Sequence, residues 1–130
     1  MPLQVYTAQR DAYRGRDALD LTHAGTFSHA FVGAGTHACT ATRASVATAR
    51  QRYLAFLRTS YRAYGATWAT LLNRSRVVLL CSCPPGSLAC RRYVLAEALG
   101  NLGATLHGEI RSTLTVRPQR VPSFPRRFTR

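Results

Sequence analysis

Residues 76–83, Arg-Val-Val-Leu-Leu-Cys-Ser-Cys, constrain this chain more than any other stretch, because they form a short apolar, β-branched run that stops at Pro84-Pro85-Gly86. A run of this length, with polar residues before it and turn residues after it, is the pattern of a central buried strand. A helix over about residues 90–101 follows, with Leu95, Ala98 and Leu99, and Leu102 just beyond, at helical spacing, and Gly100 or Gly103 can close it. Residues 104–110, Ala-Thr-Leu-His-Gly-Glu-Ile, read as a further strand. Strand, helix and strand joined by short connections make a βαβ unit, whose strands run parallel. The predicted fold class is therefore α/β, a small three-layer domain around a mostly parallel central sheet.

The remainder of the chain fits the same architecture. Residues 3–8 are β-rich and residues 18–22 alternate like a short second strand, with a polar, aromatic loop containing Gly15 between them. Residues 23–42 are rich in Gly, Ala, Thr and His and carry no clear periodicity. From residue 43 to 64, Val46, Tyr53, Leu54, Leu57, Tyr61 and Tyr64 recur at separations of three, four and seven, which predicts a long amphipathic helix. Gly65 can end it, and Trp68, Leu71 and Leu72 continue on a shorter helix that stops near Asn73. Arg50, Arg52, Arg58 and Arg62 fill the rest of the long helix and read as its solvated surface.

A length of 130 residues holds one domain, expected over residues 1–110. Residues 111–130 contain six arginines, three prolines and no acid, too little apolar surface to offset the entropy of ordering, and read as an arginine-rich flexible tail. No apolar run approaches the roughly 18 to 20 residues of a membrane span. The first residues lack the basic start and apolar stretch of a signal peptide, so a cytoplasmic location and no membrane partner are expected.

The net charge of +13 creates a field that attracts polyanions, which makes nucleic acid or a nucleotide the expected partner. All eighteen basic residues are arginines, as a GC-rich coding source would produce. The absence of lysine excludes a lysine Schiff base and a Walker-type phosphate lysine, while arginine suits forked binding of phosphate.

Chemistry is expected at the carboxyl ends of the strands, where loops meet helix N-termini. Three of the four cysteines fall within residues 81–90, and without an export signal they read as reduced thiols. Cys81 and Cys83 share one face of their strand, with Cys81 reading as core packing. Cys90, at a helix N-terminus beside arginines, is the candidate nucleophile, with Glu109 or His107 as proton carrier. Arg91 and Arg92, with Arg14 and Arg16 opposite, are candidate phosphate ligands, and Cys83, Asp20 and Tyr13 are further pocket candidates. Tyr6 and Tyr13 with Arg14 and Arg16 are a candidate base-stacking cluster. No cofactor is expected. Zinc is the alternative, but Cys-x-Cys-x6-Cys is not a paired Cys-x2-Cys pattern, and a fourth ligand would have to come from His107, His37 or Cys39.

Three stretches carry a family resemblance: residues 13–22, Tyr-Arg-Gly-Arg-Asp-Ala-Leu-Asp-Leu-Thr; the helix end at Trp68, Leu71 and Leu72; and residues 77–83 through Cys90-Arg91-Arg92 to Leu95-Ala96-Glu97. Together they resemble the phage and bacterial branch of the family called domain of unknown function 488, over roughly residues 5–110. The resemblance implies a compact α/β fold and a phage or prophage origin, and it brings no activity. That family usually has Cys-His-Arg where this chain has Cys90-Arg91-Arg92, so Arg91 stands at the family's histidine.

The leading expectation is a nucleotide- or nucleic-acid-binding α/β protein with an anion site at the strand-turn-helix. The alternatives are a cysteine-dependent enzyme acting on a nucleotide or nucleobase, and a phage protein that binds a host protein.

Overall fold

A computed structural model describes residues 2–33, 43–83 and 90–111, the side chains of 43–45 excepted. Residues 112–130, all but the first residue of the tail expected over 111–130, lie outside the described residues.

Four strands form one parallel sheet: β1 (Gln4–Gln9), β2 (Ala18–Asp20), β3 (Arg76–Cys81) and β4 (Thr105–Ile110), in the spatial order β2-β3-β1-β4. The apolar run of β3 lies between β1 and β2, and five of its six residues are buried. Three helices follow the predicted periodicities: α1 (Arg43–Ala63), α2 (Gly65–Leu72) and α3 (Arg91–Asn101). The break between α1 and α2 falls at Tyr64, whose backbone leaves the helical region at φ −123° and ψ 43°. Gly65 therefore opens the second helix rather than ending the first.

Alternation along the strands divides the core. Val5 of β1, Leu19 of β2 and Val77 and Leu79 of β3 face the helices and pack with Tyr53 and Leu57 of α1, Trp68 and Leu71 of α2, and Val94, Leu95 and Leu99 of α3. Ala8, Val78 and Leu80 face the other way, where Tyr6, Tyr13, Ala18 and Ile110 cover them. The segment between β1 and β2, including a 3-10 turn at Arg10–Ala12, supplies Tyr13 to this face.

Polar groups inside the helical layer are paired. The Tyr53 hydroxyl donates to the Phe31 carbonyl at 2.5 Å, and the Trp68 indole N–H donates to the Ser60 hydroxyl at 3.0 Å. The Ser60 hydroxyl in turn donates to the Ala30 carbonyl. These bonds tie the segment around Ser28–Ala30 to α1 and α2. No helix among the described residues is long and apolar enough to cross a membrane.

Candidate thiol centre at the carboxyl ends of the strands

The strand run ends at Cys81, and the next residues alternate exposed Ser82 with buried Cys83. Alternation thus brings Cys81 and Cys83 to one side, with their sulfurs 3.8 Å apart. Cys90 is the N-cap residue of α3 and joins them, so that the three sulfur atoms all lie within 4.8 Å of one another. All three cysteines are buried, with Tyr93 packed against the group. Cys81 and Cys90 are not disulfide-bonded, whereas Cys83 is. The expectation of uniformly reduced cysteines is corrected at Cys83, whose sulfur is bonded to neither Cys81 nor Cys90.

Arg92, in the first turn of α3, holds this rim together. Its Nη1 donates to the Cys83 carbonyl at 3.0 Å, approaches the Cys81 carbonyl at 3.4 Å, and lies 3.3 Å from the Cys90 sulfur. The strand ladder has ended here, so these carbonyls need a donor from elsewhere. On its other side the guanidinium forks onto Glu109, with Nε to Oε1 at 3.2 Å and Nη2 to Oε2 at 3.0 Å. Nη2 also reaches the Tyr93 hydroxyl at 2.9 Å. The Arg92 side chain is 0% exposed and that of Glu109 12%, so the pair is largely removed from water.

Glu109 reaches this position through an irregularity in β4. Val5 pairs with Leu106, but Tyr6 pairs with Gly108, so β4 has one residue more than its partner at this point. The slip reverses which face each later residue occupies. Glu109 consequently lies opposite Thr7, whose hydroxyl donates to Oε1 at 2.6 Å. Gly108 takes φ +109°, a conformation that glycine adopts at little cost.

Electrostatics follow from these contacts. Burial alone would raise the Glu109 pKa, but hydrogen bonds from Arg92 and Thr7 and the charge of Arg92 outweigh it and hold the carboxyl below its ordinary range. The Cys90 thiol is pushed far up by its hydrogen bond with Cys81 and by burial, against the smaller opposing pull of Arg92. The expected easily ionised Cys90 is thus corrected: the helix N-terminus and arginines are present, but a neighbouring sulfur and burial overcome them.

The structure brings Cys83, Cys90, Arg92 and Glu109 together. It separates the others. His107 stacks on Tyr6 with ring centroids 4.6 Å apart, on the sheet face away from the cysteines, so the expected pairing of His107 with Glu109 is corrected by the extra residue in β4. The same placement removes His107 as a fourth ligand, and His37 and Cys39 lie outside the described residues.

Arg91 is 7% exposed and donates to the Leu21 carbonyl at 3.2 Å and the Gly33 carbonyl at 2.6 Å. With Arg92 buried against Glu109, the expected arrangement of both arginines on an accessible phosphate is corrected, because their donors face backbone and carboxylate acceptors inside the protein. Asp20 pairs with Arg10 at 3.2 Å and accepts from Thr22, and Tyr13 donates to Asp17 at 2.6 Å. Arg14 and Arg16 are exposed on the segment between β1 and β2. Sequence reasoning missed Thr7 and Tyr93 as partners in the Arg92 network. Thr7 was visible only as one residue of an alternating strand, and its role depends on the register of β4.

With Cys83 reduced, the three sulfurs would make a donor set for a thiophilic metal ion. Tetrahedral zinc with Zn–S bonds of about 2.3 Å places its sulfurs about 3.8 Å apart, which is the Cys81 to Cys83 separation of 3.8 Å. No known protein family, curated protein or solved structure matches this chain. The functional reading therefore rests on the chain's own residues.

Proposed function

We propose that the reduced chain holds a zinc ion on Cys81, Cys83 and Cys90, as a structural centre that closes the rim of the sheet. The convergence of three sulfurs within 4.8 Å carries this reading. Reduction of the Cys83 disulfide by a thiol reductant supplies two electrons and two protons and yields two thiols, and the ligand thiols lose their protons as the ion binds. The fourth position is open to water or to a group outside the described residues. Burial of all three cysteines favours a closed, structural site over attack on a dissolved substrate. Cobalt(II) added to the reduced protein tests this: intense thiolate-to-cobalt absorption with one ion per chain is expected, weakened in Cys81→Ser and Cys90→Ser. Weak bands typical of oxygen ligands would overturn it.

We further propose that the chain binds nucleic acid. This reading is favoured by the net charge of +13 together with exposed Arg52, Arg58 and Arg62 along α1, where Arg50 alone among the described residues has an ion pair, to Glu97. Binding of this kind releases counterions, so affinity should fall steeply as salt rises. Retention of DNA or RNA that ignores salt, or no retention at low salt, would remove it.

A further inference from the structure

A cleft of about 470 Å3 opens between α1, α2 and α3, away from the cysteine rim, with walls that include Tyr61, Trp68, Asn101 and Leu102. Its volume lies within the usual range for small-molecule sites. The floor is aromatic: Trp68 is buried, and the Tyr61 ring meets it edge-on with centroids 5.4 Å apart. Tyr61 is 46% exposed and Leu102 41%, so two large apolar side chains face solvent across the same opening. Arg58 and Arg62 stand on its rim, exposed and without an ion pair among the described residues. They are four residues apart on α1, hence neighbours on one face, separated by about 6 Å along the axis.

We propose that this cleft is where nucleic acid is held, one base lying against Tyr61 over the aromatic floor and the flanking phosphates on Arg58 and Arg62. The inference rests on the nucleic-acid reading and gives it a location. Aromatic rings under a positively charged rim are the combination that holds single strands, since every base offers a π-face and every link a phosphate. Guanidinium groups one helical turn apart can fork onto successive phosphates of an extended strand. An amphiphilic anion without a ring, such as an acyl carboxylate, would use the charge and leave the flat aromatic surface unmatched. Asn101 on the opposite wall offers an amide donor and acceptor to a base edge.

Trp68 is the sole tryptophan of the chain and lines this cleft, so its emission gives a signal from the cleft wall. The test titrates the full chain with an oligothymidylate of about ten nucleotides and separately with thymidine monophosphate, reading Trp68 emission and, for the strand, anisotropy of a labelled copy. Quenching by the oligonucleotide is expected, with Tyr61→Ala weakening strand binding roughly tenfold. The double variant Arg58→Gln with Arg62→Gln should weaken it more than Arg14→Gln with Arg16→Gln, which removes the same charge from another exposed segment. Saturable quenching by the monophosphate as well would assign a free nucleotide as ligand, and quenching by the strand alone would assign a strand. Binding of the oligonucleotide with unchanged Trp68 emission, or equal effects of the two arginine pairs, would overturn the cleft while leaving the nucleic-acid reading intact. Absence of any binding at low salt would overturn both.

Discussion

His107 and Glu109 lie on opposite faces of β4, although residues two apart on a regular strand share a face. His107 stacks against Tyr6, and Glu109 accepts the Thr7 hydroxyl. The extra residue between Leu106 and Gly108 produces the reversal. It delivers the carboxylate to the helical side, where Arg92 is buried, and leaves the imidazole on the exposed side. A polar network under the cysteines therefore depends on one backbone irregularity.

Gly108→Ala should expose that dependence. A methyl group at this position meets nothing within 4 Å, so the cost is not steric contact with neighbours but the φ of +109°. A non-glycine residue in such a conformation costs roughly 1–2 kcal/mol. Gly65→Ala is the contrasting case, because that position opens α2 with open space around it and no positive φ. It should be neutral or stabilise by about 0.4–1 kcal/mol. The urea denaturation midpoint of Gly108→Ala should fall, whereas that of Gly65→Ala should hold or rise.

Glu109→Gln removes the charge opposite a guanidinium that is 0% exposed. Leaving one member of a buried pair uncompensated costs about 3 kcal/mol, the lower end of the range for such deletions being appropriate because the carboxylate keeps some contact with water. The pH response gives an independent check. Glu109 titrates below its ordinary range in the folded chain, so its contribution is present in full above the unfolded pKa and is lost as pH falls through the folded value. The wild-type chain should lose stability across that acidic window more steeply than Glu109→Gln, measured by thermal unfolding at a series of pH values.

Much of this was legible in the chain, and the missing parts have a common cause. The run at β3 and the stripe of Leu95 and Leu99 on α3 follow from local periodicity, and so does the shared face of Cys81 and Cys83. The burial of Arg92 does not, since a basic residue in the first turn of a helix ordinarily reaches solvent. It is buried because Glu109 arrives from a strand seventeen residues later, and only because the register of β4 slips. Cys90 reads as an easily ionised thiol from its helix alone, whereas its hydrogen bond with Cys81 and its burial push it up. The Arg58 and Arg62 pair was legible as helical spacing, but its relation to Trp68 and Leu102 needed the packing of three helices.

Ser60 links two buried partners, accepting from the Trp68 indole and donating to the Ala30 carbonyl. Ser60→Ala should cost about 2 kcal/mol, because it leaves a buried indole N–H and a carbonyl unsatisfied and fills no new space. Trp68 emission in the native baseline should also change, since the indole loses its hydrogen bond. A stability change near zero would mean that water replaces the hydroxyl.

Zinc should stabilise the reduced chain and leave the oxidised one unchanged. An ion that binds only the folded form stabilises it according to its concentration above Kd, by about 2.7 kcal/mol at one hundred times Kd. For a domain of this size that corresponds to a rise in Tm of roughly 10 °C. With the Cys83 disulfide intact, one of the three sulfurs is not a thiolate, so the same zinc should give little rise. Cys81→Ser and Cys90→Ser each lower the starting Tm through the change to a buried hydroxyl. The informative quantity is therefore the increment on adding zinc to each protein, which should shrink in both variants. An equal increment in oxidised and reduced wild-type chain would place the ion away from the cysteines.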